Sequence, residues 1–139
     1  MNDVVVRLPP LDELARRWRE IEPFLKRATD RTGCYEPIDL LYLTMQGQAA
    51  IWIVEIGGSV TASVAVEAKQ YPRKRILEVM FGGGDGMPIW IKQLGAAIDE
   101  HARATGCTHV ATTGRPGWAR AWGAQKTGDV VLVRRVWDA

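Results

Sequence analysis

Residues 75–114 read RILEVMF, GGGDG, MPIWIKQLGAAIDEHARAT and GCTHVATTG in succession. An apolar run of strand length leads into a glycine-rich turn, an amphipathic helix and a second apolar run. In the helical part Ile91, Leu94, Ile98, Ala102 and Thr105 recur at spacings of three or four, which predicts one stripe against a core. Pro88 suits the first helical turn, where its missing N–H would have no partner anyway. Gly106 suits the left-handed position just past the helix end. Strand, crossover helix and strand in this order predict a parallel pair. A helix leaving a glycine turn directs N–H groups and its positive dipole end outward. Gly82, Gly83, Gly84, Gly86 and Met87 are therefore a candidate phosphate-binding turn, the plainer alternative being an irregular connection without a ligand.

Working outward toward the N-terminus, AAIWIVEI (49–56), Gly57-Gly58 and SVTASVAVEA (59–68) predict an antiparallel hairpin. Val60, Ala62, Val64 and Val66 are expected on one face of its second strand. The loop QYPRK then leads to the strand at Arg75–Phe81, expected to pair antiparallel as well. Upstream, Leu11, Leu14, Trp18, Ile21 and Leu25 mark a helix, which Pro23 is expected to kink or divide. Thr29 to Glu36 reads as a loop, and Pro37 to about Gln46 as a short helix turning Leu40, Leu41 and Met45 inward. Past the central helix, Thr108–Thr113 predicts a strand, GRPGWARAWGA (114–124) a short helix or turn, and DVVLVRRVW (129–137) a terminal strand. The sum is a mixed α/β sheet with an antiparallel first half and one parallel β-α-β step.

Composition narrows the function classes. A chain of 139 residues suits one domain, 1–139, around one core. With 47% hydrophobic and 24% charged residues it reads as an ordinary globular chain. No apolar run approaches the roughly 18 residues that span a bilayer, and MNDVVVRLPP has no basic stretch followed by an apolar core. A cytoplasmic location without a membrane partner is expected. Cys34 and Cys107 have no neighbouring cysteine, and Cys107 reads as buried packing. His101 and His109 lack ligand-spaced partners, so no metal is expected, and His101 is assigned to the exposed side of its helix. A net charge of +2 with interspersed signs argues against nucleic acid.

The order of elements from roughly Leu11 onward resembles the GNAT fold, that of the GCN5-related N-acetyltransferases. The resemblance implies acetyl-CoA as cofactor, with its pyrophosphate on a turn of pattern Q/R-x-x-G-x-G/A. Aligning Val79 with the family's last strand valine puts Gly84 where Gln or Arg is usual and Met87 where the first glycine is usual. The resemblance also implies a general base on the strand before the turn, and Glu78 is the candidate. Its alternative is a salt-bridged strand residue. The family's thiolate-protonating tyrosine has no counterpart in GWARAWGA, where Trp118 and Trp122 stand, while Tyr35 and Tyr71 lie on other loops.

A second resemblance rests on YPRKRIL (71–77), the glycine turn with Trp90, and ATTGRPGWARAW (111–122). Together these are similar to a group of small phage and prophage proteins with a divergent GNAT-like fold. That likeness implies a non-catalytic virion, assembly or host-interaction component, placed in the host cytoplasm or the virion, with a virion or host protein as partner. The alternative is an acetyl-CoA-dependent N-acetyltransferase acting on an amine of a small molecule or protein. Arg73, Lys74, Arg75, Arg115 and Trp118 are the candidate partner surface; the cations are otherwise a solvated loop, or ligands of the CoA 3′-phosphate or of nucleic acid. Trp18 and Trp52 are expected in the core. Trp90, Trp118, Trp122 and Trp137 either cover its edges or mark an interface.

Overall fold

The computed structural model describes residues 3–113, 122–125, 127–128 and 131–136. Its sheet has five strands in chain order: β1 (Val4–Arg7), β2 (Ala50–Ile56), β3 (Ser59–Gln70), β4 (Arg75–Gly84) and β5 (His109–Thr112). The first four pair antiparallel, and β4 with β5 is parallel, as the crossover helix requires. α4 (Met87–Ala104) is that crossover. It covers one face with Trp90, Ile91, Leu94, Ile98 and Ala102 against Val54, Ala62, Val64, Val66, Leu77 and Val79. The opposite face carries α1 (Leu11–Arg16), α2 (Trp18–Thr32) and α3 (Pro37–Met45), whose Leu14, Ile21, Leu25 and Leu40 meet Ile51, Ile53 and Ala65. Both faces are covered in the middle of the sheet, so five consecutive residues of β3, Ala62 to Val66, are buried whichever face they point to. None of the helices is long and apolar enough to cross a membrane, among the described residues.

Two bulges shape the sheet. Val54 faces Ala62 and Glu55 faces Val60, so Thr61 is the extra residue of β3. Because side chains alternate with a period of two, that insertion moves Val60 to the face opposite Ala62, Val64 and Val66. The expected four-residue stripe is thus three residues long. The second bulge places Met80 between Val79, opposite Val66, and Phe81, opposite Ala65.

The glycines of GGGDG are not a turn. Gly82, Gly83 and Gly84 extend β4 opposite Val64, Ser63 and Ala62, and only Asp85 and Gly86 lie between strand and helix. A Cβ on Gly82 would stand 2.7 Å from Val64 Cγ1, one on Gly84 2.3 Å from Ala62 Cβ, and one on Gly83 2.3 Å from the Phe24 carbonyl oxygen. The missing side chains let α2 seat its backbone directly on β4.

Other expectations need correction. The N-terminal helix divides at Arg17 (φ −100°, ψ 16°), and α2 runs through Pro23. Proline there removes one N–H, the partner of the Arg19 carbonyl, without ending the helix. α2 also absorbs the expected loop as far as Thr32, where Gly33 (φ 69°) closes it with an N–H bond to Thr29 O at 3.1 Å. Met45 is exposed and lines up with exposed Ile38 and Tyr42, because only the Leu40–Leu41 side of α3 meets the sheet. Val4–Arg7, not assigned by periodicity, is a strand recruited by pairing with β2. Residues 131–136 form no strand, and Val131, Leu132, Val133 and Val136 are exposed. Most of the expected 114–124 helix lies outside the described residues, as do Arg115, Trp118 and Trp137.

The break at Arg17 belongs to an ion network. Arg17 donates Nε to Glu20 (2.9 Å), Nη1 to Glu13 (3.0 Å) and Glu55 (2.8 Å), and Nη2 to Gly58 O (3.1 Å). Arg7 donates Nε to Glu55 at 2.6 Å and also binds Glu13. Arg7, with Arg17, holds the Glu13 carboxyl down to about 2. Burial pushes Glu55 up, but the bonds from Arg7 and Arg17 outweigh it, and the net direction is down.

This architecture predicts one pH window and the effects of three substitutions. Carboxylates depressed by folding contribute stability that is complete above their ordinary value of 4.5 and is lost as pH falls toward about 2. Urea unfolding across that window is expected to show the loss. Glu55→Ala, which takes one carboxylate from Arg7 and Arg17 but leaves both bound to Glu13, is expected to cost about 1.5–3 kcal/mol at neutral pH. Gly83→Ala is expected to destabilise by about 1–3 kcal/mol through its clash with α2. Gly95→Ala, whose Cβ would meet nothing nearer than the Trp122 ring at 3.7 Å, is expected to stabilise by about 0.5–1 kcal/mol.

Candidate functional site

β4 and β5 stay paired from Ile76–His109 to Val79–Thr112, and Thr112 Oγ1 reaches Val79 O at 3.3 Å. β4 then continues five residues to Gly84 with β3 alone. The parting coincides with the bulge at Met80, which turns the strand at that point. From Met80 to Gly84 the β5 side of β4 has no strand partner among the described residues. This fork leads straight to the start of α4.

At that start, Gly86 adopts φ 69° and serves as the N-cap position without a side-chain cap. Asp85 N–H is committed to Thr61 O (3.0 Å) and Ile89 N–H to Gly86 O (2.9 Å), while Pro88 has none. Gly86 and Met87 are left to present donors, reinforced by the dipole of an 18-residue helix. Asp85, whose charge would repel an anion, is turned to Arg27 Nη1 at 2.8 Å, and that contact lowers its carboxyl pKa. Trp90, read as an edge or interface residue, is buried, and its indole N–H donates to Asp85 O at 2.7 Å. Met87 packs against the α4-side core, whereas Ile89 on the first turn is 66% exposed.

Glu78 lies one residue before the fork. Leu77 and Val79 point to the α4 core, so Glu78 faces the α2 side, opposite Glu67 of β3. Tyr71 Oη donates to Glu78 Oε1 at 2.6 Å, and Lys69 Nζ stands 3.1 Å from Oε2. Burial raises this carboxyl, but the Tyr71 and Lys69 bonds prevail and hold it below the ordinary range. Glu78 raises both Tyr71 and Lys69 in turn. Folding thus brings Tyr71 to the candidate base, while Tyr35 instead meets Phe81 edge to face at 5.4 Å. Lys69 was missed. Its signal was the K-x-Y spacing of residues 69–71, which puts both side chains on one face beside the returning strand.

The YPRKR cations do not form one surface. Arg75 Nε donates to Thr105 O at 2.8 Å and closes the C-terminal end of α4. Arg73 and Lys74 are exposed at the hairpin end, which Tyr71 N–H closes onto Lys74 O at 2.8 Å. His101, expected outside, is half-buried, and its Nδ1 accepts the Trp52 indole N–H at 3.1 Å. Burial lowers its pKa. Cys107 is buried, as expected. A groove of about 540 Å³ runs between α4 and β5 beside Gly95, Ala102, His109 and Trp122. It lies on the sheet face opposite Glu78, away from both the carboxylate and the donors of the turn.

With this geometry in hand, comparison with solved structures is direct. The aminoglycoside N-acetyltransferase AAC(6′)-Iy, solved in complex with CoA, superposes with a TM-score of 0.72 at 14% identity, over 99% of this chain and 97% of that one. The ribosomal-protein-alanine N-acetyltransferase of Brucella melitensis biovar Abortus 2308 gives 0.68 at 16% identity, over 96% and 99%. A Trypanosoma brucei acetyltransferase gives 0.63 at 12% identity, over 96% and 100%. No protein-family model and no curated protein matches the sequence. These likenesses lie with acetyltransferases and lend nothing to a phage relationship. The chain has the GNAT acetyltransferase fold.

Proposed function

We propose that the chain is an acetyl-CoA-dependent N-acetyltransferase acting on an amine of a small molecule or protein. The observation that carries the reading is the fork: β4 leaves β5 at Val79–Thr112 and runs on into the donor-bearing start of α4. The residues fit the cofactor. Gly86 and Met87 offer N–H groups to a pyrophosphate, Asp85 is neutralised by Arg27, and Ile89 leaves the approach exposed. Gly82, Gly83 and Gly84 act one step back, since space for their side chains is filled by β3 and α2 rather than by ligand. Acetyl-CoA supplies the activated acyl group as a thioester. Glu78, held ionised by its neighbours, takes a proton from the acceptor ammonium directly or through water, and Tyr71 fixes the orientation of the carboxylate.

A second reading, a GNAT-like scaffold kept as a virion, assembly or host-interaction component, draws on one observation. Both oxygens of Glu78 already have partners, as in a structural ion pair. Thermal unfolding with acetyl-CoA separates the two. Ligand at a hundred times its dissociation constant adds about 2.7 kcal/mol, expected to raise the midpoint by about 5–15 °C. Ile89→Glu puts a negative charge beside the proposed pyrophosphate site at an exposed position where helices tolerate it. That variant is expected to fold normally and lose the shift. No saturable rise at millimolar acetyl-CoA would favour the scaffold.

A further inference from the structure

A base that serves an amine must hold the ammonium within hydrogen-bond reach before attack. Tyr71 has one hydroxyl proton and commits it to Glu78 Oε1, which turns Oε2 toward a cation. Lys69 Nζ occupies that position at 3.1 Å. Lys69 reaches it across the β3–β4 ladder, where Glu67 faces Glu78 and Lys69 faces Ile76. Its side chain is 42% exposed, so the amine is not sealed in the core. Val79, where β4 and β5 part, is the next residue on the strand. Lys26 is held on α2 by Asp30, Lys74 sits in the hairpin and Lys92 on α4, none of them at Glu78.

We infer that Lys69 is a self-acetylation site, modified in cis by acetyl-CoA bound to the same chain, with Glu78 as the base. The inference rests on the acetyltransferase reading above. Nζ forms a bond to the acetyl carbonyl carbon, and the carbon–sulfur bond breaks. Of the two protons that leave Nζ, one passes through Glu78 to solvent and the other ends on the sulfur of CoA. The amide product carries no charge, so the ion pair with Glu78 is lost and Oε2 becomes open to an external amine. Lys69 on this account marks the acceptor subsite, one shaped for a primary ammonium on a flexible chain.

The test incubates the purified full chain with isotope-labelled acetyl-CoA and follows each lysine by peptide mass spectrometry. Lys69 is expected to acquire the label faster than Lys26, Lys74 and Lys92, at a rate that saturates with acetyl-CoA and does not change with protein concentration. Glu78→Gln is expected to slow it by about a hundredfold, and Ile89→Glu to abolish its saturation. Tyr71→Phe, which keeps the ring, is expected to slow it less than Glu78→Gln; circular dichroism verifies the fold of each variant. A protein whose midpoint rises with acetyl-CoA but whose Lys69 reacts no faster than the other lysines, or as fast in Glu78→Gln, overturns this inference alone. A rate proportional to protein concentration overturns the in-cis assignment. A protein without the midpoint rise overturns both this and the acetyltransferase reading.

Discussion

The contact between α2 and the end of β4 is the constraint on which the rest of the fold depends. The Phe24 carbonyl lies where a side chain on Gly83 would begin, and Val64 and Ala62 fill the equivalent spaces at Gly82 and Gly84. Three residues without side chains allow strand, neighbouring strand and helix backbone to approach at distances no alanine would permit. Interiors packed at this density transmit strain rather than absorb it. The path of β4 past Met80 is therefore held on two sides, and its departure from β5 is built into the packing.

Charge is handled differently in three places. Around Glu55, Arg7 and Arg17 join β1, the α1–α2 break and the β2–β3 hairpin, and the network is compact enough to act as a clamp. At Asp85, Arg27 cancels a charge on the surface, where the pair itself adds little stability. At Glu78 a phenol and an ammonium compete with burial for one carboxylate, the arrangement most open to chemistry. Only the third stands beside the fork.

The sequence was a good guide wherever periodicity and burial agree. The α4 stripe, the β2–β3 hairpin and the parallel step follow from spacing, because each element meets one core through one face. It was a poor guide where one extra residue changes the outcome. Thr61 and Met80 are bulges that no local pattern announces, and Val60 changed face because of the first.

 Glycine runs read as turns on composition alone, yet Gly82–Gly84 are strand, since what decides their state is the neighbour they admit. The site was legible in part. Glu78 could be picked out as the one acid on its strand, but Tyr71 and Lys69 reach it through hairpin register, which is set by how the 71–74 loop closes. Arg75 and Trp90 looked available for a partner because sequence shows neither the helix end that Arg75 closes nor the carbonyl that Trp90 binds.

The bond from the Trp90 indole to the Asp85 carbonyl has a consequence for how a ligand would be met at the head of α4. Trp90 is fixed by the core, and through that bond the short connection before the helix shares its rigidity. Its conformational entropy is surrendered when the chain folds, so an incoming anion finds donors already aimed and orders little on arrival. The same tie runs in the other direction. A change deep in the α4 core that shifts the indole would displace Gly86 and Met87 without touching either, so that affinity at the surface is set from within.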